Sequence, residues 1–196
     1  NENTPTKAPA PFVRGLPPVK TKAIFTNASG QVVTWGSMVL PFVKPGTRFT
    51  ALAAGGEHSL AVKEDTTVVA WGRNISGEST VPAGLSNVVS VSAGGGSGTG
   101  FSVALRRDGT VSAWGDNSVG QTSVPTNLTD VVAISAGSDH CLGLKKDGTV
   151  VAWAANGTGK TQVPAGLSDV VGIAAAGDSR AARSTPRWRA VAGGGE

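Results

Sequence analysis

Apolar residues alternate with polar or small residues in several short stretches of the chain. In three of them, leucine or valine recurs at every second position: Leu60 and Val62, Val103 and Leu105, and Leu142 and Leu144. A period of two is typical of a strand with one buried face. Two other stretches, VVSVSAG at 88–94 and VVAISAG at 131–137, match each other closely and are rich in β-branched residues. The pattern predicts short β-strands and no long helix.

Four tryptophans mark a repeating unit, and the other positions of the unit keep fixed distances from them. The tryptophans are Trp35, Trp71, Trp114 and Trp153. Thirteen residues before the last three (position −13) stand His58, Phe101 and His140, and six residues before them (position −6) stand Asp65, Asp108 and Asp147. A Val-Pro pair ends eleven residues after each of the same three tryptophans. A repeat of about forty residues predicts stacked units that bury one another's faces.

The aspartate at position −6 predicts a hairpin turn. Gly109 and Gly148 follow it in two units, and Thr66 follows it in the other. Asp-Gly between two alternating stretches is a strong hairpin signal because glycine accepts a positive φ. The proline at position +11 ends a short edge-like segment, since it cannot donate to a sheet. We therefore expect three to four short antiparallel strands in each unit, arranged as the blades of a β-propeller rather than as a sandwich.

Three segments carry a family resemblance: AGGEHSLAVKEDTTVVAWGRN, RRDGTVSAWGDNSVGQTSVP and AGSDHCLGLKKDGTVVAW. They resemble the regulator-of-chromosome-condensation (RCC1-type) repeat, particularly its bacterial form, and the resemblance extends from about residue 23 to residue 178. It implies a seven-bladed β-propeller, of which this chain would form about half, and it implies protein binding. The family includes a nuclear exchange factor for a small GTPase and secreted bacterial inhibitors of β-lactamase.

The repeats divide the chain into three regions. Residues 1–21 are rich in proline and are interpreted as an arm or linker. The repeats occupy 22–178, with a partial unit at 22–51, full units at 52–90, 91–133 and 134–172, and the start of another at 173–178. Residues 179–196 form an Arg- and Gly-rich tail with no strand pattern. Such an incomplete array would expose blade edges, so we expect self-association through them.

Composition argues against two classes of partner. The net charge is +4, but four of the seventeen cations lie between residues 180 and 189, so the repeats themselves are close to neutral. The sequence lacks the basic stripe with interleaved aromatic residues that is typical of nucleic-acid binding. It also has no apolar stretch long enough to cross a membrane. Cys141 is the only cysteine and has apolar neighbours, which favours a buried structural role.

The sequence offers no catalytic, cofactor or metal motif. His58 and His140 occupy the same repeat position that Phe101 fills in another unit, so packing explains them better than catalysis. Asp65, Asp108 and Asp147 recur one blade apart and are interpreted as turn residues rather than an acid–base pair. A Gly-rich insertion follows Gly94, but it lacks the lysine of a phosphate-binding loop.

We therefore predict a non-catalytic protein-interaction module with a protein partner. The alternatives are a guanine-nucleotide exchange factor and a secreted inhibitor-like propeller. Binding residues are expected in the loops after each Trp-Gly, because propellers present such loops on one face. The candidates are Arg73, Asn74, Asp116, Asn117 and Ser118. An extracellular or cell-surface location is favoured over others.

Overall fold

The computed structural model describes residues 46–154 and 159–176 in full, together with the backbone of strands at 24–26, 32–34 and 188–192. These residues contain thirteen strands and no helix. The strands are β1 (Ile24–Thr26), β2 (Val32–Thr34), β3 (Phe49–Ala54), β4 (His58–Lys63), β5 (Val68–Gly72), β6 (Val88–Gly94), β7 (Phe101–Arg106), β8 (Val111–Gly115), β9 (Val131–Ala136), β10 (His140–Lys145), β11 (Val150–Ala154), β12 (Val170–Ala175) and β13 (Trp188–Ala192). The all-β prediction is confirmed.

Nine of these strands form three antiparallel, three-stranded sheets. We call them blade 1 (β3, β4 and β5), blade 2 (β6, β7 and β8) and blade 3 (β9, β10 and β11). The register is the same in each blade, because position −13 always lies opposite the residue that follows the tryptophan: His58 opposite Gly72, Phe101 opposite Gly115, and His140 opposite Ala154. The other four strands pair as β1 with β2 and β12 with β13.

The middle strand of each blade is buried along nearly its whole length, and apolar clusters fill the space between neighbouring blades. The apolar cluster between blades 1 and 2 includes Leu60, Val62, Val91, Ala104 and Trp114. The cluster between blades 2 and 3 includes Val103, Leu105, Val131, Cys141 and Trp153. The first strands also lie beside one another, β3 by β6, β6 by β9 and β9 by β12. The blades thus stack face to face, with their first strands on a common inner side.

Each inner strand begins with a β-bulge. The second residue of the strand has no partner in the register: Thr50, Val89, Val132 and Val171. All four side chains are exposed. A bulge turns one residue out of the ladder and increases the local twist. Three of the four are valines, and their exposure follows from the bulge position.

The predicted hairpin turns join the middle and outer strands of all three blades. Each loop has four residues, and the third of them has a positive φ: Thr66 (65°), Gly109 (80°) and Gly148 (78°). One oxygen of the aspartate at position −6 accepts hydrogen bonds from the hydroxyl and the amide of a threonine two residues later, at 2.6–2.7 Å and 3.0 Å. These bonds lower the pKa of all three aspartates. Asp65, Asp108 and Asp147 therefore lie in turns, and each is committed to its own turn.

Two stretches differ from the sequence-based expectation. No strand lies between Gly72 and Val88 or between Gly115 and Val131, so a blade has three strands and the Val-Pro segment is not one of them. Val81 and Val124 instead pack against the apolar clusters between blades. Within the tail, Trp188–Ala192 forms β13 against β12, although no alternating pattern predicts a strand there. Backbone pairing with the edge of β12 does not require that pattern.

Several predictions fall outside the described residues. They include the proline-rich arm at 1–21, Trp35, and the tail outside β13. The first strand of each blade begins at Phe49, Val88 and Val131, a few residues ahead of the positions where the sequence register starts the full units. The unit boundaries stay predictions.

The residue after the tryptophan has an unusual backbone conformation. Its φ is +103° at Gly72, +103° at Gly115 and +111° at Ala154. A Cβ atom added to Gly72 would lie 2.6 Å from the carbonyl oxygen of Glu57, and one added to Gly115 would lie 2.6 Å from that of Gly100. Glycine therefore fits this position on both conformational and steric grounds. Blade 3 has alanine there, which is strained at this φ.

We expect Ala154→Gly to stabilise the protein. Relief of the backbone strain, of order 1–3 kcal/mol, should exceed the roughly 0.4–1 kcal/mol of extra unfolded-state entropy of glycine. The net gain should be about 1 kcal/mol in urea unfolding. The matched control is Ala152→Gly in the same strand, where φ is ordinary and the change should destabilise. A loss of stability in Ala154→Gly comparable to that of the control would show that position 154 is not strained.

Candidate functional site

The loops that follow the tryptophans gather at one end of the blades. Each begins where the outer strand ends, and beside it lies the link between the first and second strands of the next blade. A Cβ added to Gly98 in the link of blade 2 would lie 4.0 Å from the Nη2 atom of Arg73 in the loop after blade 1. We call this the loop end. The hairpin turns and the bulges lie at the opposite end, called the turn end.

An asparagine three residues after the tryptophan shapes each described loop. The Asn74 side chain accepts from the Ser79 amide at 2.9 Å and donates to the Thr80 hydroxyl at 2.9 Å. The Asn117 side chain accepts from the Thr122 amide at 3.0 Å and donates to Ser123 at 3.1 Å. Both candidate asparagines are exposed, but their polar groups are used inside the loop.

A buried polar side chain at position +7 holds the base of each loop. Glu78 in the first loop accepts from the Ser76 amide at 2.7 Å, and Gln121 in the second accepts from the Val119 amide at 3.0 Å. Both side chains are buried. They have nearly the same shape, so the loops are built on the same internal bond despite the difference in charge.

The candidate residue at position +2 completes each buried group, with opposite chemistry in the two loops. Arg73 pairs with Glu57 and lies 3.7 Å from the Glu78 carboxylate. Asp116 accepts from the Gln121 amide at 2.7 Å and also from Ser118. The buried glutamate thus has a cationic neighbour, Arg73, and the buried glutamine has an anionic neighbour, Asp116. Arg73, Asp116 and Ser118 are all engaged within the loop, so their proposed part in binding stays a prediction.

Each loop is tied to the following blade by that blade's tryptophan. The indole Nε1 of Trp114 donates to the Glu78 carbonyl at 3.0 Å, and the indole of Trp153 donates to the Gln121 carbonyl at 3.1 Å. The residue at position −12 donates to the same two carbonyl oxygens. Ser102 donates to that of Glu78 at 2.7 Å, and Cys141 donates to that of Gln121 at 3.5 Å. The tryptophans are therefore both core residues and anchors for a neighbouring loop.

The residues at positions −13 and −12 form a pair across each blade junction. Between blades 1 and 2 the pair is polar, because the Nε2 atom of His58 lies 3.0 Å from the Oγ atom of Ser102. Between blades 2 and 3 the pair is Phe101 and Cys141, which lie in one apolar cluster. The two positions change together: histidine faces a hydroxyl, and phenylalanine faces a thiol.

His58, Ser102 and Glu78 do not form a catalytic triad. The Ser102 hydroxyl donates to the Glu78 carbonyl, so the Nε2 atom of His58 must donate to Ser102 rather than accept its proton. The Glu78 carboxylate bonds to the Ser76 amide. Ser102 is 0% exposed, which leaves no room for a substrate. The arrangement is a structural hydrogen-bond chain.

His140 lies in the equivalent place in blade 3. Its Nδ1 atom lies 3.4 Å from Asp139, which in turn accepts from Lys160 at 2.8 Å. Its buried Nε2 atom has no hydrogen-bond partner. Burial lowers the pKa of both histidines, against the opposing effects of Asp139 on His140 and of Glu78 on His58. Desolvation also raises the pKa of the Cys141 thiol well above its usual range, so Cys141 stays protonated.

Sequence reasoning missed the residues at positions −12 and +7. Ser102, Cys141, Glu78 and Gln121 carry the contacts between blades, yet only Ser102 has a residue type that recurs, as Ser59, at the same position of another unit. The available signal was their constant distance from the tryptophan, combined with a polar residue inside an otherwise apolar strand. The contact between position −13 of one blade and position −12 of the next becomes apparent only when neighbouring blades are seen side by side in the structure.

Two apolar side chains remain exposed at the loop end. Ile75 is 78% exposed and Val119 is 39% exposed, and they lie at the tips of the loops after blades 1 and 2. Among residues 46–154 and 159–176, no group of three or more His, Cys, Asp or Glu side chains could hold a metal ion. None of the described residues belongs to a helix that could span a membrane.

Comparison with known proteins identifies the repeat. The model of the regulator of chromosome condensation (RCC1) repeat matches residues 49–78, 88–121 and 131–159. These segments begin with the first strand of each blade and end in the loop after its tryptophan. No curated protein sequence matches the chain. The chain therefore contains three repeats of the RCC1 type.

Solved structures show the same fold at low sequence identity. The ectodomain of the receptor kinase CR4 from Physcomitrella patens has a TM-score of 0.61 and 23% identity over 76% of this chain and 42% of that chain. Yeast RCC1 (Prp20), solved with Kap60, has a TM-score of 0.57 and 20% identity over 72% of this chain and 42% of that chain. Human WBSCR16 has a TM-score of 0.53 and 21% identity over 69% and 45%. The predicted partial β-propeller is confirmed, and the chain spans less than half the length of these relatives.

The pairing across junctions predicts a positive coupling between Phe101 and Cys141. Phe101→His alone places a polar ring against a thiol, and Cys141→Ser alone places a hydroxyl against an apolar ring. The double variant recreates the His58–Ser102 pair, so its loss of stability should be smaller than the sum of the single losses by about 1 kcal/mol or more. Thermal or urea unfolding of the four proteins measures this coupling. Additive effects would mean that the two positions do not act as a pair.

Proposed function

We propose that the chain is a non-catalytic protein-interaction module and that its partner contacts the loop end. A propeller presents the loops of successive blades side by side, and such rigidly supported loops are common binding surfaces. The stacked blades provide the support here, because each loop is bonded to the blade that follows it. The turn end carries the hairpins, whose aspartates are committed to their own turns.

The exposed side chain of Ile75 carries this proposal. It lies at the tip of a loop whose base is fixed by Glu78 and whose sides are held by Asn74. Because the loop is already fixed, little conformational entropy is lost when a partner covers this side chain. Apolar side chains that enter a partner's pocket often dominate affinity. Val119 offers a second apolar contact on the next loop.

Two features support binding over catalysis. The two histidines lie in separate blade junctions and are both buried. The hydroxyl of Ser102, the serine that contacts His58, donates its hydrogen bond to a backbone carbonyl. An enzyme would need several polar groups that converge on one accessible point.

The relatives support a protein partner without naming one for this chain. Yeast RCC1 (Prp20) was solved bound to Kap60, and the binding of Prp20p to Gsp1p and histones has been described. Nucleotide exchange on a small GTPase stays an alternative that rests on the family resemblance. A test for accelerated release of labelled GDP from small GTPases should give no effect.

A photo-crosslinking amino acid placed at position 75 should capture the partner in the cells that produce the full-length protein. We expect the same protein to be captured from position 119, since both loop tips lie at the loop end. The matched control is position 89, an exposed valine at the turn end. In the direct binding assay that follows, Ile75→Asp should weaken partner binding at least tenfold and Val89→Asp should leave it unchanged.

The proposal fails under either of two results. Capture from position 89 but not from positions 75 and 119 would place the partner at the turn end. Equal binding by the Ile75→Asp variant and the unchanged protein would remove the loop end from the interface.

A further inference from the structure

The two described blade junctions differ in one respect that depends on protons. Between blades 1 and 2, position −13 is His58, and between blades 2 and 3 it is Phe101. Both side chains are buried and face position −12 of the next blade. Only the first junction can therefore gain a charge when its residue at position −13 takes up a proton.

The hydrogen bonds of His58 determine where a second proton would go. Its Nε2 atom donates to Ser102, so the neutral ring accepts a further proton on Nδ1. That edge of the ring lies against the backbone, because a Cβ added to Gly55 would lie 3.0 Å from Nδ1 and 2.8 Å from Cε1. An imidazolium here would be largely removed from water.

The charge of Glu78 acts on this ring, and two further charged residues lie in the adjoining link and loop of blade 1. Glu57 lies in the link before β4, and Arg73 and Glu78 lie in the loop after β5. The link and the strand of blade 2 that complete the surroundings, residues 94–105, contain no charged residue. Arg73 pairs with Glu57 and lies 3.7 Å from Glu78, so the charge of each carboxylate is already shared with a cation. The buried Oε1 atom of Glu78 nevertheless has no hydrogen-bond partner.

We propose that the junction between blades 1 and 2 is a proton-sensitive joint, which loosens on acidification and releases the base of the loop at 73–80, whereas the junction between blades 2 and 3 stays closed. Hydrogen bonds connect this junction directly to the loop at 73–80. The Glu78 carbonyl receives both the Ser102 hydroxyl and the Trp114 indole, and His58 holds Ser102 in place. A charged ring that moves toward water leaves Ser102 without its donor. This device goes beyond the proposed function and does not depend on a partner.

The direction follows from the effect of burial on His58. Desolvation lowers its pKa below the ordinary 6.5, and the nearby Glu78 carboxylate and a hydrogen bond to the Phe101 backbone only partly oppose this effect. The pKa of such a histidine is lower in the folded state than in the unfolded state. Its contribution to stability is therefore complete at pH values above the unfolded pKa, and it is lost as the pH falls below about 6.5. A comparison of pH 7.5 with pH 5.5 spans the range in which a histidine of ordinary pKa takes up its proton.

Amide hydrogen exchange measured by NMR tests the proposal. The Ser76 and Ser79 amides report on the loop at 73–80, and the Val119 and Thr122 amides report on the equivalent loop of blade 2. His140→Phe is introduced in every protein, which leaves His58 as the one histidine of the chain. From pH 7.5 to pH 5.5, protection factors of the first pair should fall several-fold relative to those of the second pair, because protonation of His58 disfavours the closed junction.

Exchanging the junction pairs provides the decisive controls. His58→Phe with Ser102→Cys copies the pair of the second junction and should abolish the response. Phe101→His with Cys141→Ser should extend the response to Val119 and Thr122, while the response of the first loop remains. If the first double variant does not fold, His58→Gln keeps a donor to Ser102 without a titrating group and should also abolish it.

Three outcomes would overturn the proposal. They are an equal loss of protection in both loops, a response that persists without His58, and a response that Glu78→Gln removes. The last would assign the proton to the carboxylate. Circular dichroism at pH 7.5 checks that each variant is folded before its response is measured.

Discussion

The hydrogen bond from the indole of Trp114, and likewise of Trp153, to the loop of the preceding blade is the interaction on which the rest of the structure depends. An indole N–H must find an acceptor when its ring is buried, since an unsatisfied donor costs about 1–3 kcal/mol. The acceptor is a backbone carbonyl at position +7, through Glu78 for Trp114 and Gln121 for Trp153. The bond makes no demand on the side chain at +7. A single contact therefore joins the blades, positions the loop and leaves the loop's chemistry free to vary.

That freedom explains how near-identical blades differ at the loop end. Arg73 with Glu78 and Asp116 with Gln121 exchange the sign of the charge around the same internal bond to the loop backbone. The pairs at positions −13 and −12 vary in the same correlated way between a polar and an apolar form. The junctions thus differ in their response to protons while the register stays fixed. A repeat protein can diversify at such positions because each affects only two neighbouring units.

The sequence predicted the fold well because its signals are local and repeated. Alternation at Leu60 and Val62 and the aspartate turns depend on neighbouring residues, and three copies reinforced each interpretation. The choice of three strands rather than four in a blade and the extra strand β13 were not predictable, because both depend on which sheet edges find a partner. The contacts of Ser102 and Glu78 were missed for a related reason. They join residues of different units, and a single strand pattern does not show which residue of the next blade lies opposite.

The central claim is that the tryptophans hold the blades to the preceding loops through their indole N–H groups. Hydrogen exchange of the indole Nε1–H of Trp114 and Trp153, followed by NMR at neutral pH, tests it most directly. If the account is right, both protons exchange slowly, and substitution of Ser102 by alanine speeds exchange at Trp114 while that at Trp153 is little changed. Exchange of both indole protons as fast as in a short peptide would contradict the account, because those protons would then be open to water rather than bonded across the blade junction.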